Sequence, residues 1–334
     1  MERFCSMGIN DRHFRIAIIG AGRIAQKMVE AVKKSSEISI VAIASRNKEK
    51  AQLFAEKNNI PISFGSYDEV LDYDEYDLIY IATINSTHFE IAQKCLMRHK
   101  PVAVEKPICL DLQQTQRLIE LSEQNKTFIT EAMPLRYSSN MRRAVELVSS
   151  GAIGETYLLQ SNLGFPCWGE TRINSPELGG GALNDLGVYG ITLSRMFFPY
   201  NIADVSSRAH FDKGVDSDNT VVLTFDTGRT SICFHSVKNV VRNKAVIYGS
   251  NGFLIVSESY NANRVFRFSG IKHMRYYSSR KSVYLEEMEC FKNSVEHGLI
   301  ECPEYTHKEI IECAEISELV RDSWNQNNNL IHCS

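Results

Sequence analysis

Through its first third, this chain of 334 residues alternates short apolar runs with amphipathic stretches. The apolar runs predict strands at residues 14–19, 38–44, 78–82, 102–104 and 127–130, and the stretches between them predict helices. Strands that are apolar at successive rather than alternate positions are typical of a sheet covered on both faces. Because the strands alternate with helices, the pattern predicts right-handed β-α-β units and a doubly wound parallel sheet.

The pattern changes after about residue 131. Helices are predicted at residues 140–150, 181–198, 284–297 and 308–325. A strand is predicted at residues 155–164, and several strand-like runs with turn signals between them are predicted over residues 205–268. A chain of this length exceeds one typical domain. We therefore predict an α/β dinucleotide-binding domain over residues 1–132. An α+β domain with a largely antiparallel sheet is predicted over residues 133–334, for substrate binding and oligomerisation.

A glycine turn follows the first predicted strand directly and opens a helix. Its sequence is Gly20-Ala21-Gly22-Arg23-Ile24-Ala25. The first glycine permits a tight turn, Gly22 lets the backbone approach a pyrophosphate, and Ala25 allows the helix to pack closely on the strand. The free N–H groups at the helix start favour phosphate. With these flanks the motif predicts a dinucleotide site, although another doubly wound domain could also contain a tight glycine turn.

The second predicted strand ends in Ser45-Arg46. Sites that prefer NAD usually have an acidic residue there, which binds the ribose 2′-hydroxyl. A guanidinium pairs well with a 2′-phosphate, and a serine removes a repulsive charge. The pair therefore favours NADP(H) over NAD(H). The alternative is that Arg46 is a solvated residue at the start of the next helix.

Polar residues also follow the third and fourth predicted long strands. Thr83, Asn85 and His88 follow the strand predicted at residues 78–82, and the carboxyl ends of parallel strands form a ligand crevice. Asn85 could bind the ribose or carboxamide, or cap the next helix, and His88 could be a core histidine. Glu105-Lys106-Pro107 follows the strand predicted at residues 102–104, and its lysine suggests a positive charge held where the dinucleotide reacts.

Composition excludes several classes of partner. The net charge of −3 argues against broad binding to nucleic acid or membrane surfaces, and no apolar run could cross a bilayer. The nine cysteines form no Cys-x-x-Cys pair and the first residues are polar, so we expect a cytoplasmic protein without a disulfide framework. No residue pattern has metal-ligand spacing, and we expect no metal.

The glycine turn, the 83–88 stretch and Glu105-Lys106-Pro107, taken in order, resemble the Gfo/Idh/MocA oxidoreductases over about residues 14–325. A block at residues 178–189, Leu-Gly-Gly-Gly-Ala-Leu-Asn-Asp-Leu-Gly-Val-Tyr, also resembles them. It is most similar to the branch of dimeric dihydrodiol dehydrogenase and glucose–fructose oxidoreductase, in which a tyrosine replaces the histidine of inositol dehydrogenases.

The resemblance implies a Rossmann domain followed by an open-faced mixed sheet that commonly forms an oligomer interface, hence a homodimer or homotetramer. It places Lys106 beside the nicotinamide and substrate and Glu105 beside the nicotinamide ribose, and implies that the bond before Pro107 is often cis. The family has Thr-Pro-Asn-x-x-His at the 83–88 stretch. Here Ile84 replaces the proline, which affects the rigidity of the loop.

Moving a hydride between a carbinol and nicotinamide requires an acid or base at the oxygen. We take Tyr189 as this group, and expect the ammonium of Lys106 to lower the phenol pKa or to polarise the carbonyl. Asp185 lies four residues earlier, on the same helix face, where it could orient Lys106 or bind a substrate hydroxyl. The alternatives are a core tyrosine and a surface acid.

Three further residues are candidates for contact with a sugar, polyol or diol substrate. Trp168 would suit the apolar face of a sugar ring, Arg172 a hydroxyl cluster or cofactor phosphate, and Arg136 the interdomain crevice. Trp168 and Arg172 could equally be interface residues.

Three hypotheses of function follow. The first is an NADP(H)-linked dehydrogenase or reductase acting on a sugar, polyol or cyclic diol. The second is an enzyme that retains its cofactor and oxidises its substrate transiently, as in glycoside cleavage through a 3-keto intermediate. The third is a dinucleotide sensor without catalysis.

Overall fold

A computed structural model of the chain describes residues 13–262, 264–270, 273–279 and 281–331. Two sheets organise these residues. The six strands of one sheet lie in the order β3-β2-β1-β4-β5-β6, and the eight strands of the other in the order β14-β13-β12-β11-β7-β10-β9-β8.

The six-stranded sheet is parallel throughout, as the sequence predicts. Its elements are β1 (Phe14–Ile19), α1 (Arg23–Val32), β2 (Ile38–Ala44), α2 (Lys48–Asn58), β3 (Ile62–Phe64), α3 (Tyr67–Leu71), β4 (Leu78–Ile81), α4 (His88–Met97), β5 (Val102–Glu105), α5 (Leu112–Asn125) and β6 (Ile129–Ala132). The sequence does not predict β3, whose three residues are all half-buried. Strand β6 begins two residues later than predicted.

Strand β1 pairs with β2 on one side and with β4 on the other, so the chain reverses its direction of winding there. A doubly wound sheet binds ligands at such a point, outside the carboxyl ends of its strands. The residues of β4 and β5 are buried without alternation, which agrees with a sheet covered on both faces. The glycine turn and the segments after β2, β4 and β5 therefore meet at one edge.

The second part contains α6 (Pro134–Tyr137), α7 (Ser139–Ser149), β7 (Thr156–Gly164), α8 (Thr171–Asn174), α9 (Val188–Phe197), β8 (Ile202–Asp212), β9 (Val215–Phe225), β10 (Thr230–Ser236), β11 (Lys244–Gly249), β12 (Gly252–Ser257), β13 (Arg264–Ser269), β14 (His273–Ser278), α10 (Val283–Glu296) and α11 (His307–Ile331). Every pairing in its sheet is antiparallel except that of β7 with β10. The predicted largely antiparallel mixed sheet is confirmed.

One face of this sheet is covered by helices and the other is open. Helix α9 packs on β7 and β10, and α7 packs on β12 and β13. On the open face, the rings of Phe253 and Phe268 stack with centroids 4.6 Å apart, and those of Phe266 and Tyr276 lie 5.2 Å apart. Tyr276 is about half exposed.

The prediction of one regular helix over residues 181–198 is wrong at its start. Residues Leu183–Gly187 form a wide π-helical turn, and α9 begins only at Val188. The N–H of Val188 donates to the carbonyl of Leu183, five residues earlier, instead of four. Apolar periodicity does not distinguish this turn from an α-helical one, because it inserts only one residue.

The last two helices return to the first sheet's side of the molecule. Helix α10 packs on α1 and α6, and α11 packs on α5 and α9. The division of the chain at residues 132 and 133 stays a prediction.

Candidate active site

A cleft of about 620 Å³ lies between the parallel sheet and the second sheet's helices. Its volume is ordinary for a site that binds a small molecule. The sequence-predicted residues that line it are Gly20, Ala21, Gly22, Arg23, Ile24, Ser45, Arg46, Thr83, Asn85, Glu105, Lys106, Arg172, Asp185 and Tyr189. Three other predicted residues, Trp168, Arg136 and His88, are not among its lining.

The glycine turn forms one wall of the cleft. Gly20 has a φ of +111°, which L-residues with side chains rarely adopt, and a Cβ there would lie 2.3 Å from the carbonyl oxygen of Ala82. Only glycine fits both restraints. Gly22 precedes α1 and no side chain caps that helix, so its first N–H groups are available to a ligand in the cleft. The turn therefore has the shape and the donors that a pyrophosphate requires.

At the end of β2, exposed cations lie around a buried serine. Ser45 is 8% exposed, and its hydroxyl accepts the N–H of Asn47, which caps α2. Arg46 is exposed and lines the cleft, together with Lys50 one helical turn later. The hydroxyl of Tyr67 contacts Arg46; burial raises the pKa of Tyr67, and the guanidinium partly opposes this.

Lys106 meets the second part of the chain at the end of β5. The peptide bond between Lys106 and Pro107 is cis, as the resemblance implies. The ammonium of Lys106 donates to the backbone carbonyl of Asp185 at 2.6 Å and to its Oδ1 at 3.1 Å. Its Nζ also lies 5.2 Å from the centre of the Tyr189 ring. The structure thus brings Lys106 together with Asp185 and Tyr189, which lie about 80 residues later in the sequence.

A chain of ion pairs continues from Lys106 across the cleft. Asp185 Oδ1 also accepts from Nη1 of Arg172 at 3.1 Å, and Nε of Arg172 donates to Glu170 at 2.9 Å. Glu170 then pairs with both terminal nitrogens of Arg23, at 2.8 and 3.1 Å. Burial would raise the pKa of Asp185, but the two cations outweigh it and lower the pKa to about 2. Asp185 is therefore a carboxylate with a fixed position, and not a surface acid.

The expected low pKa of Tyr189 is wrong. Burial raises its pKa well above the usual value, and the neighbouring Tyr284 and Glu105 raise it further. The ammonium of Lys106 lies over the ring, but Asp185 offsets its charge, so it does not overcome the effect of burial on the pKa of Tyr189. Tyr189 consequently carries its proton near neutral pH.

Glu105 lies beneath the cleft in a group of buried acids. The hydroxyl of Tyr80 donates to Glu105, and burial raises the pKa of Glu105 to about 7. Glu287 is fully buried, and neither of its carboxyl oxygens has a hydrogen-bond partner among the described residues. Burial raises its pKa well above the usual value, and Glu105 and Glu131 raise it further. Burial and the two neighbouring acids thus favour the protonated form of the Glu287 carboxyl.

The polar stretch after β4 divides between the cleft and the core. Asn85 lines the cleft and donates to the carbonyl of Gly179 at 2.9 Å, so it is not the cap of the next helix. His88 is fully buried, with Nδ1 2.8 Å from the carbonyl of Pro107 and Nε2 3.4 Å from that of Thr83. Its assignment to the cofactor is therefore wrong, and the alternative of a core histidine is correct: it joins two loops of the cleft.

Two predicted substrate residues lie elsewhere. Arg136 is 6% exposed, because its guanidinium pairs with Glu309 and lies over the ring of Tyr305, away from the cleft. Trp168 lies beside the cleft lining and packs under the ammonium of Lys238, 4.5 Å from its ring centre. Both predictions came from position in the chain, which does not give the direction of a side chain.

Several lining residues were missed. Lys50 has a signal in the sequence, because it lies in the first turn of a predicted helix that begins just after Arg46. Lys27, Tyr67, Phe165, Tyr260 and Tyr284 also line the cleft, but no motif marks them. Among the described residues, no group of three or more histidine, cysteine or acidic side chains is arranged to hold a metal ion. No helix in the described part of the chain is long and apolar enough to cross a membrane.

A Rossmann sheet with a glycine turn, joined to an open mixed sheet at a cleft, is typical of one class of nicotinamide dinucleotide oxidoreductases. Residues 14–132 match the model of an oxidoreductase family with an NAD-binding Rossmann fold, and residues 141–255 match that of the GFO/IDH/MocA C-terminal domain. The chain belongs to the Gfo/Idh/MocA oxidoreductase family, which confirms the resemblance.

Similar proteins agree with this assignment. The chain is 32% identical to a trans-1,2-dihydrobenzene-1,2-diol dehydrogenase of Danio rerio over 248 residues, 72% of this chain and 74% of that one. It is 27% identical over 317 residues to an NADP⁺-dependent scyllo-inositol 2-dehydrogenase of Bacillus subtilis, covering 92% and 96% of the two chains. An aldose-aldose oxidoreductase structure from Caulobacter crescentus shares the fold, with a TM-score of 0.85, 19% identity, and coverage of 95% and 98%.

Proposed function

We propose that this protein is an NADP(H)-linked oxidoreductase that interconverts a CH–OH and a C=O group of a sugar, polyol or cyclic diol. The observation that carries the proposal is the convergence of Lys106, Asp185 and Tyr189 beside the cleft. The names of the relatives, which include diol and inositol dehydrogenases, support the substrate class.

The residues of the cleft fit a phosphorylated dinucleotide. Gly22 would leave room for the pyrophosphate at the start of α1, since a Cβ there would meet no protein atom closer than 4.0 Å, and Gly20 allows the turn itself to pack against Ala82. Arg46 and Lys50 would pair with a 2′-phosphate, and Ser45 adds no negative charge there. Asn85 and Glu105 would face the nicotinamide end. These contacts support a preference for NADP(H) over NAD(H).

The bound nicotinamide would supply or accept the hydride. In the direction of reduction, the phenol of Tyr189 donates its proton to the carbonyl oxygen as that oxygen gains negative charge. The ammonium of Lys106 stabilises the same charge, and Asp185 keeps that ammonium in place. Because Tyr189 is protonated near neutral pH, these residues are prepared for reduction; oxidation requires the phenolate as base.

Aromatic side chains support a ring-shaped substrate. Phe165 and Tyr260 line the cleft with their ring centroids 5.3 Å apart and their planes at 81°. Such surfaces pack against the C–H face of a sugar or cyclic diol. Arg172, beside Asp185, would bind its hydroxyl groups.

The test is the nicotinamide absorbance of the purified protein with NADPH or NADP⁺ and a panel of ketoses, polyols and cyclic diols. We expect turnover with at least one compound, and faster turnover with NADP(H) than with NAD(H). Tight NADPH binding without turnover of any compound would overturn the proposal and favour the dinucleotide sensor.

A second candidate is an enzyme that retains its dinucleotide and oxidises its substrate transiently. The bidentate pair of Arg23 and Glu170 favours it, because it bridges the two sides of the cleft beside the glycine turn. Mass spectrometry of the protein, purified without added cofactor, distinguishes the candidates. Stoichiometric dinucleotide favours retention, and its absence favours an exchanging dehydrogenase.

We also propose that the open sheet face joins two copies of the chain in a cytoplasmic homodimer or homotetramer. Its aromatic cluster at Phe253, Phe266 and Phe268 would bury apolar surface in such an assembly. The seven cysteines within the described residues are free thiols, in keeping with a reducing compartment. Sedimentation of the wild type and of Phe268→Glu tests this, since a monomeric wild type would exclude the interface.

A further inference from the structure

The wide turn before α9 is anchored from beneath by a row of three buried side chains on the second sheet. The N–H of Leu183 donates to Oδ2 of Asp216 at 2.8 Å, and Nδ2 of Asn219 donates to the same oxygen at 2.7 Å. Nδ1 of His235 lies 2.8 Å from Oδ1 of Asn219. Asp216 is 6% exposed and the other two side chains 1% or less, so the row lies in the interior.

Each hydrogen bond of this row is donated in the direction of Asp216. Burial lowers the pKa of His235 to about 3, so its imidazole is neutral and its single N–H can donate to Asn219. The side-chain amide of Asn219 accepts at its oxygen and donates from its NH₂ group to Asp216. Burial raises the pKa of Asp216 to about 6, partly opposed by the bonds from Asn219 and Leu183. A carboxylate at the end of this row is favourably placed, because the start of a helix carries partial positive charge.

The backbone around Asp216 is specialised for this contact. The pairing of β8 with β9 shifts between His210 and Phe211, which face Asp218 and Asp216, so Ser217 is an extra residue. In a regular strand Asp216 and Asn219 would point to opposite faces, but the bulge turns both toward the helix. Gly181 has a φ of +107°, and a Cβ there would lie 2.3 Å from Oδ1 of Asp216. The bulge and the glycine together allow the carboxylate to reach the turn.

We propose that Asp216 is a positioning residue for the reaction, which fixes the wide turn so that Asp185 and Tyr189 face Lys106. This inference rests on the proposed function, because it concerns how Asp185 and Tyr189 are positioned for that reaction. Asp216 itself makes no contact with substrate. Asp185 lies two residues after Leu183, whose N–H Asp216 accepts. A displacement of the turn would therefore move the ion pair with Lys106 directly, and Tyr189 one helical turn later.

The experiment compares Asp216→Ala and Asp216→Asn with Asp218→Ala in the full-length protein. We expect Asp216→Ala to lower kcat about 10- to 100-fold, the loss that a small misplacement of reacting groups causes, with the Kd for NADPH unchanged. Asp216→Asn retains an oxygen for the N–H of Leu183, and should recover most of kcat. Asp218→Ala, on the same strand but bonded to His210 on the opposite face, should retain the wild-type kcat.

A second readout needs no substrate. Backbone amide hydrogen exchange over residues 183–189 should be faster in Asp216→Ala than in the wild type, and unchanged in Asp218→Ala. If Asp216→Ala does not fold, the near-isosteric Asn219→Leu removes one donor to Asp216. Asn219→Leu should also lower kcat, by a smaller factor than Asp216→Ala.

The inference is overturned if Asp216→Ala keeps the wild-type kcat and exchange, if Asn219→Leu leaves kcat unchanged, or if kcat and NADPH binding fall in parallel. A wild-type protein that turns over no substrate would instead overturn the proposed function. The exchange measurement would still test whether Asp216 holds the turn.

Discussion

The two ends of the cleft hold their positive charges in opposite ways. Arg46 and Lys50 are exposed at the start of α2. Lys106 has a side chain only 13% exposed, with a carboxylate and a carbonyl of residue 185 as fixed acceptors. The first pair comes from one short segment at the start of α2, whereas the lysine joins two parts of the chain.

The difference matches two tasks. A cation that binds a phosphate from solution must be accessible, and it forms its charged hydrogen bonds only when the phosphate arrives. A cation that stabilises a developing alkoxide must be in place beforehand, because reorganisation during the reaction would consume the gain. Changes at the buried end should therefore affect kcat, and changes at the exposed end should affect cofactor affinity.

Tyr189→Phe should have the largest effect. It removes the proposed acid but leaves the ring beside Lys106, so we expect kcat to fall about 100- to 10,000-fold without a change in NADPH affinity. Single-turnover oxidation of NADPH measures this. Tyr200→Phe, at a partly exposed tyrosine after α9, is the control. Wild-type kcat in Tyr189→Phe would assign proton donation to another group.

Lys106→Ala should reduce kcat about 100- to 1,000-fold, the usual loss for a preorganised donor at a developing oxyanion. The Kd for NADPH should change little, since Arg46 and Lys50, the proposed phosphate contacts, lie at the other end of the cleft. The matched control is Lys100→Ala, near the opposite end of β5, where the lysine pairs with Asp74. A loss confined to cofactor affinity would contradict the division between the two ends.

Arg46→Ala should act at the exposed end alone. We expect the Kd for NADPH to rise about 10- to 100-fold, the value of a charged hydrogen bond, while the Kd for NADH stays the same. Fluorescence titration with both cofactors gives the comparison. Lys48→Ala removes a nearby charge of α2 that does not line the cleft, and should change neither Kd. Equal weakening of both cofactors would exclude a 2′-phosphate contact.

The buried pair should also appear in the pH dependence of stability. The pKa of Asp185 is about 2 in the folded chain and near 3.9 when unfolded. Its contribution of about 2.5 kcal/mol is therefore fully present above about pH 5 and is lost progressively as pH falls toward about 1. Urea unfolding between pH 6 and pH 3 should show a wild-type advantage over Asp185→Asn that shrinks with acid. A difference independent of pH would contradict the ion pair.

The sequence predicts most of the exposed end and less of the buried end. A strand, a glycine turn and a helix are consecutive in the chain, so local pattern suffices to place Gly20, Ser45 and Arg46. Lys106 and Asp185 are 79 residues apart, and only the resemblance connects them.

The errors have a common physical origin. The pKa of Tyr189 depends on burial and on neighbours such as Tyr284 and Glu105, which are distant in the chain, and neither is visible in sequence. Likewise, Arg136 forms its ion pair with Glu309 on α11, near the far end of the chain. His88 is a core residue, and its two ring nitrogens lie near the backbone carbonyls of Pro107 and Thr83, which the sequence does not show to be close.

The π-helical turn at Leu183–Gly187 limits how the length of this segment can vary. Each residue of an α-helix advances the side-chain direction by about 100°, so deleting one residue here would restore regular winding and rotate the residues of the turn relative to α9. The shortened helix could still pack on its sheet, but Asp185 and Tyr189 would no longer share the cleft with Lys106. An alignment gap in this segment would thus separate chains that keep the fold from chains that keep the chemistry.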